Sequence, residues 1–196
     1  MKSCDGKSPC CTGSVCLNVV RGQHTLKTLV ECYRSAPHSI HTDLKWYSST
    51  NDFSTVVTNA ALAITCEGKK HPHQQLLPPA VLEAMKRKLL LCIKGILNAR
   101  DFDAILSLIE GCKVKGFGKL ACYDTALRIA AYLKRMPTQV YLHAGTREGS
   151  RALGLSGNVR SLEPSQFPQE LQTLKPYEIE DFLCIFEPNL RDLKDA

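Results

Sequence analysis

Three lysines and two glycines lie within residues 113–119, between two segments with helical periodicity. The residues concerned are Lys113, Lys115, Gly116, Gly118 and Lys119. Two glycines separated by one residue allow a tight turn that exposes backbone N–H groups. A helix that begins directly after such a turn points its free N–H groups and the positive end of its dipole in the same direction. The pattern therefore predicts a binding site for one phosphate. The alternative is a glycine-containing turn that only connects two packed helices.

A second group of phosphate-binding residue types follows between residues 141 and 151. It consists of Tyr141, His143, Thr146, Arg147 and Arg151. Here a capping hydroxyl and two arginines spaced i, i+4 meet at the expected start of another helix, and such a site can bind phosphate or carboxylate. Tyr141 could stack on a nucleic-acid base. The alternative interpretation is an ordinary capped helix with surface arginines.

Asp124 is the carboxylate nearest to the glycine-containing turn, and it lies inside the helix predicted to follow that turn. A catalytic role for Asp124 would require a pocket that raises its pKa. The alternative is an ordinary ion pair within the helix, because Arg128 follows at i+4.

The cysteines and two of the histidines are candidate metal ligands. Four of the ten cysteines lie in the first sixteen residues, at Cys4, Cys10, Cys11 and Cys16. They lack the paired Cys-x2–4-Cys spacing of zinc sites. His71 and His73 flank a proline in a basic loop, and the sequence indicates no third ligand for them. We therefore predict no metal and no cofactor, with both histidines solvated.

The elements that must position these residues are predicted to be helices, because apolar residues recur at helical spacing. The predicted helices cover about residues 25–35, 53–66, 80–99, 102–110, 119–134, 146–153 and 177–186. Residues 36–50 are predicted as loop and residues 139–143 as irregular or briefly extended. The predicted fold class is all-α, with one compact helical domain over residues 25–196 after an irregular Cys-rich arm over residues 1–24.

Charge is distributed unevenly along the chain. The net charge is +6 and the sequence pI is about 8.8, yet residues 161–196 carry 3 Lys and Arg against 8 Asp and Glu. A basic body with an acidic end fits a surface that faces a polyanion, although chance asymmetry of a solvated surface would look the same. Since there is neither a secretory signal nor an apolar run long enough for a membrane span, we expect a cytoplasmic protein with free thiols and no membrane partner.

The glycine-containing turn also resembles a known DNA-binding element. In helix-hairpin-helix elements an apolar residue is followed by a position that is often proline and then by a Gly-apolar-Gly triplet. Three variable positions and a small residue complete the pattern. This chain matches it with Val114, Lys115, Gly116, Phe117, Gly118 and, as the small residue, Cys122. Over residues 101–145 the chain resembles the helix-hairpin-helix DNA glycosylase superfamily, of the 8-oxoguanine DNA glycosylase type. Residues 123–126 and 140–147 are also similar to short sequence segments of uncharacterised bacterial proteins.

The resemblance implies a helix-hairpin-helix over about residues 102–134, a double-stranded DNA partner and excision of a damaged base as the activity. The family's lysine nucleophile would fall on Leu120, one residue after Lys119. Its catalytic aspartate would fall between residues 139 and 143, where no carboxylate occurs. Lys119 and Asp124 are therefore the candidate catalytic residues. The alternatives are a non-catalytic DNA-binding module and a protein that binds a small phosphate compound or nucleotide at residues 143–151.

Overall fold

The computed structural model describes residues 25–36 and 38–194, and most of this part of the chain is helical. The helices are α1 (Leu26–Ser35), α2 (Ser39–Ser48), α3 (Phe53–Ala61), α4 (Pro79–Leu91), α5 (Ile93–Leu97), α6 (Phe102–Cys112), α7 (Lys119–Leu133), α8 (Ala144–Ala152), α9 (Pro176–Ile185) and α10 (Glu187–Lys194). Strands β1 (Val140–Tyr141) and β2 (Ser161–Leu162) form one short antiparallel pair. The all-α prediction is confirmed, whereas the predicted arm over residues 1–24 lies outside the described residues.

Contacts divide the described chain into two units. The first unit contains the described residues up to His38 together with residues 138–194, and the second contains residues 39–137. The single domain predicted over residues 25–196 stays a prediction. Each unit is described by itself below.

The core of the first unit forms where the apolar faces of α1 and α9 meet β1 and the short helical turns that follow β2. Its fully buried members include Leu29, Val140, Leu171, Ile179, Phe182, Leu183 and Leu190. Helix α8 packs on both α9 and α10. One polar contact within this unit joins α1 to α9, because the Tyr33 hydroxyl donates to Asp181 at 3.0 Å.

The second unit is organised around α7, which packs against α2, α3 and α6. Ten of the 15 residues of α7 are buried. Many of these residues are small, among them Ala121, Cys122, Ala126, Ala130 and Ala131. Because small side chains let neighbouring helices approach closely, α7 can be enclosed on several faces at once.

Two predictions for the segment before α4 are wrong. Residues predicted as loop form α2, because Leu44 and Tyr47 are buried in the core and Asp43 accepts a hydrogen bond from the Cys66 backbone N–H at 2.9 Å. The helix predicted to continue to residue 66 ends at Ala61 as α3. The chain then turns through Ala63, whose φ of +58° is left-handed and incompatible with a continuing helix.

The other differences concern helix ends. The helix predicted over residues 80–99 is interrupted at Cys92, whose φ of −95° and ψ of 7° separate α4 from α5. Helix α8 begins at Ala144, before the predicted start at Thr146. Helix α10 was not predicted; within it, Leu190 is fully buried in the core of the first unit. The brief extended piece predicted near residue 140 is confirmed as β1.

Gly149→Ala tests the close contact between α8 and α9. A Cβ atom at Gly149 would lie 2.5 Å from the Leu183 carbonyl oxygen and 3.1 Å from the Leu183 Cβ. We expect the free energy of unfolding to fall by about 1–3 kcal/mol, because the backbone of α9 must move to relieve the overlap. Urea unfolding followed by circular dichroism measures this change.

Gly111→Ala in α6 is the matched control. Nothing lies within 4 Å of a Cβ atom at Gly111. Alanine is the better helix former by up to about 1 kcal/mol, so this variant should be neutral or more stable. Equal losses in the two variants would contradict the packing described for α8.

Candidate functional site

The turn between α6 and α7 is anchored by an aromatic side chain. Phe117 is only 3% exposed, and its backbone N–H donates to the Val114 carbonyl at 3.0 Å. Gly116 has a φ of +91°, a left-handed conformation that glycine adopts without a steric penalty. The apolar side chain therefore fastens the turn to the second unit while the glycine permits its sharp course.

The polar groups of this turn are open to solvent. Lys113, Lys115 and Lys119 are exposed, as are Gly116 and Gly118. Gly118 is the N-cap of α7 and supplies no side-chain cap. The first backbone bond of α7 runs from the Cys122 N–H to the Gly118 carbonyl at 3.0 Å, so the amides of residues 119–121 have no acceptor within the helix. Three cationic side chains and an uncapped helix start thus belong to one short segment.

In the first unit, the predicted residues around the start of α8 are engaged with their own backbone. The Thr146 Oγ1 accepts a hydrogen bond from the His143 N–H at 2.5 Å and donates to the His143 carbonyl at 3.2 Å. The Arg147 Nε donates to the Leu142 carbonyl at 3.2 Å. These contacts fit the interpretation of a capped helix, and they occupy groups that an anion would need.

Arg151 and Tyr141 also have partners within the first unit. Arg151 donates to Glu148 at 2.5 Å and to Asn158 at 3.0 Å. Tyr141 is 2% exposed, and the guanidinium of Arg160 lies 5.9 Å from the centre of its ring. Stacking of Tyr141 on a base would therefore require a local opening of the structure.

Asp124 finds its partners in the short 3-10 helix Pro72–Gln74 of the second unit. His73 Nδ1 lies 3.3 Å from the Asp124 Oδ2, and the Gln74 side-chain amide donates to the same oxygen. The Oε1 of Gln74 accepts from Arg128 at 3.2 Å. The direct Asp124–Arg128 ion pair considered from the sequence is thus replaced by a link through Gln74.

This network lies mostly away from solvent. Gln74 is 2% exposed and Arg128 is 5% exposed. Among the residues that the structure describes, the Arg128 Nη1 is buried without a hydrogen-bond partner. The Gln74 amide thus joins the buried guanidinium of Arg128 to the largely buried carboxylate of Asp124. Loss of any one of these groups would leave another without its hydrogen-bond partner.

The surroundings of Asp124 and His71 lower the pKa of both side chains. Burial works to raise the pKa of Asp124, but the hydrogen bond and charge of His73 and the charge of Arg128 outweigh it, so the pKa lies well below its usual range. Burial, aided by the charges of Arg128 and His73, lowers the pKa of His71 to about 3. Near pH 7 Asp124 is therefore ionised and His71 neutral, which suits a base or ligand rather than a general acid.

His71, His73 and Asp124 form a cluster of side chains that commonly ligate metals. One ligand atom from each lies within 4.8 Å of the other two. The sequence indicated no third ligand for the histidines, yet the structure brings Asp124 to them from 51 residues beyond His73. The sequence predicts that both histidines are solvated; His73 is exposed, whereas His71 is only partly exposed.

Comparisons with protein-family models, with curated proteins and with solved structures give no match for this chain. Within the described residues, no helix combines the length and the apolar character needed to cross a membrane. The resemblance to helix-hairpin-helix DNA glycosylases stays a prediction from the sequence.

Gln74→Ala tests the link between Asp124 and Arg128. The substitution deprives a largely buried carboxylate and a buried guanidinium of their shared partner, so we expect the free energy of unfolding to fall by about 2–4 kcal/mol. Gln75→Ala is the matched control because the Gln75 side chain is exposed, and its effect should stay within about 0.5 kcal/mol. Denaturant unfolding of both variants at one pH measures the difference; similar values would show that the amide does not join the two charges.

Proposed function

We propose that the protein binds double-stranded DNA through residues 113–119, named here the lysine hairpin. The observation that supports this most strongly is the combination of three exposed lysines with the uncapped, glycine-led start of α7. Backbone N–H groups and the helix dipole favour an anion there, and the lysines add positive charge around it. A DNA phosphate is an anion of the required size and charge.

The rigidity of the lysine hairpin also supports the proposal. Buried Phe117 fixes the turn, so little ordering would be needed when a phosphate binds. Exposed Gly116 and Gly118 carry no side chain that would keep a DNA strand from the backbone. Contacts of this kind position a duplex without reading its sequence. We therefore expect sequence-independent binding, with Kd of roughly 10⁻⁴–10⁻⁶ M at physiological salt.

Removal of one hairpin charge tests the electrostatic part of the proposal. Lys119→Gln should weaken binding to a fluorescently labelled duplex, measured by anisotropy over a series of salt concentrations. Each phosphate contact contributes about 0.9 to the slope of log Kobs against log salt concentration, so the slope should become shallower by about that amount. Binding that is absent at low salt, or that does not weaken as salt is added, would overturn the proposal.

Lys134→Gln is the control for Lys119→Gln because Lys134 is exposed at the other end of α7. Both variants lose one positive charge. The 15 residues of α7 separate the two positions by about 22 Å, which is beyond the Debye length of about 10 Å at 0.1 M salt. Lys134→Gln should therefore leave affinity and salt slope nearly unchanged.

Gly118→Ala tests the close approach of DNA to the backbone. Gly118 has φ −75° and ψ 172°, which alanine adopts readily, and nothing lies within 4 Å of the added Cβ. The variant should fold normally, but its added methyl group should keep a phosphate away from the backbone N–H groups. We therefore expect duplex binding about 10-fold weaker, as for loss of one hydrogen bond to a charged group. Gly111→Ala is the control outside the hairpin. Equal affinities for both variants would mean that the backbone at Gly118 does not contact DNA.

Excision of a damaged base is the more specific form of this proposal. Asp124 does not have the raised pKa that the sequence analysis required, because its pKa lies well below the usual range, and it could take part only as an ionised carboxylate. Lys119 supports the proposal as an exposed amine at the start of α7. Duplexes that carry 8-oxoguanine, uracil or alkylated bases would be assayed for strand cleavage after alkali treatment, which converts the abasic site left by base excision into a strand break. Cleavage should fall about 100-fold or more in Asp124→Asn or Lys119→Ala if that residue takes part in the reaction.

The outcomes of the cleavage assay separate the alternatives. Cleavage that persists in both variants would exclude Lys119 and Asp124 as the reacting groups. Salt-dependent binding without cleavage on any of these duplexes would leave a non-catalytic DNA-binding module. Binding of nucleotides or inorganic phosphate without DNA binding would instead favour the residues around α8.

A further inference from the structure

We propose that His71, His73 and Asp124 form a site for a divalent transition metal ion such as Zn²⁺. Two imidazoles and one carboxylate are a ligand set that such ions prefer. The two histidines flank Pro72 at the start of the 3-10 helix Pro72–Gln74, and Asp124 reaches them from α7. The site lies in the second unit and does not depend on DNA binding.

Distances within the cluster fit a metal centre. The His73 Nδ1 and the Asp124 Oδ2 are 3.3 Å apart. Two ligands bound at about 2.0–2.1 Å with a tetrahedral angle between them are separated by about 3.3 Å. The His71 ligand atom lies within 4.8 Å of both, so it would have to come closer to them to share one metal ion. The two imidazole rings meet edge to face, with an interplanar angle of 78°, rather than stacked.

A chain of hydrogen bonds orients the carboxylate of this site. Gln74 donates to Asp124 and accepts from Arg128, and Gln74 and Arg128 are both buried. Outer partners of this kind hold a metal ligand in position before the ion arrives. The surrounding fold therefore restricts Asp124 far more than a surface carboxylate would be restricted.

Arg128 also affects which further ligand would complete the coordination of the metal ion. Its positive charge opposes a dication and offsets the negative charge of Asp124, so an anionic further ligand is favoured over a neutral one. The Arg128 Nη1 is buried without a hydrogen-bond partner among the described residues. Three protein ligands leave at least one tetrahedral position open, as in catalytic rather than structural zinc sites.

Titration of the full chain with Co²⁺ and Zn²⁺, after removal of metal with a chelator, tests the proposal. Co²⁺ absorption identifies the ligands, because thiolate ligands add an intense near-ultraviolet charge-transfer band that imidazole and carboxylate ligands do not. This distinction matters because the chain has ten cysteines. We expect one equivalent of Co²⁺ to bind without the thiolate band and to be displaced by Zn²⁺. Binding through thiolates only, or no binding, would overturn the proposal.

Single-residue variants test whether the bound metal ion is held by His71, His73 and Asp124. His73→Gln should weaken Zn²⁺ affinity, measured calorimetrically, by more than the roughly 10–100-fold that loss of an outer hydrogen-bond partner costs. His41→Gln is the matched control, since His41 is an exposed histidine of α2 in the same unit. Asp124→Asn should weaken affinity likewise, with far-ultraviolet circular dichroism to confirm folding. Equal affinities for His73→Gln and His41→Gln would contradict the site.

A measurement on the unmodified protein covers the case in which Asp124→Asn does not fold. Paramagnetic Co²⁺ shifts or broadens the imidazole proton resonances of its ligands. The expected result is that two histidines, assigned to His71 and His73 through the loss of one signal in His73→Gln, respond at one equivalent while His41 does not. A uniform response of all histidines would overturn the proposal.

Discussion

Helix α7 is buried along most of its length, and Asp124 and Arg128, its two charged residues beyond the exposed first residue Lys119, must therefore find partners inside the second unit. Burial of an unpaired charge costs several kcal/mol, so the segment that packs against this part of α7 has to supply polar groups. Gln74 does so by donating to the carboxylate and accepting from the guanidinium. The position of the 3-10 helix Pro72–Gln74 follows from this requirement, and with it the positions of His71 and His73.

The start of α7 obeys a different constraint. It emerges from the core at Gly118, just after buried Phe117, and its first residues, 118–120, are exposed beside Lys113 and Lys115. One helix thus carries an exposed start, for which we propose anion binding, and a buried polar centre. The two are physically separate features, because the lysine hairpin depends on exposure and the Asp124 network depends on burial. The proposals for DNA binding and for a metal site can accordingly succeed or fail independently.

Local patterns predicted α6, the turn and α7 closely, because helical periodicity and glycine pairs act over a few residues. The same reasoning missed α2, whose buried apolar residues Leu44 and Tyr47 are too few to form a clear stripe; this helix packs on α7. It also joined α4 to α5 across Cys92, since an apolar stripe does not reveal where a backbone bends. These errors arise where tertiary contacts outweigh local preference.

By itself the sequence determined the helical class, the glycine-containing turn with its lysines, and the basic character of the segments around it. Only the tertiary structure decided which of the chemically capable residues have partners. It placed Asp124 beside His73 and Gln74, which are about 50 residues away in the chain, and it engaged Arg147 and Arg151 in contacts with their own unit. The physical reason is that spacing along a helix is a local property, whereas the partner of a buried charge depends on which distant segment packs against it.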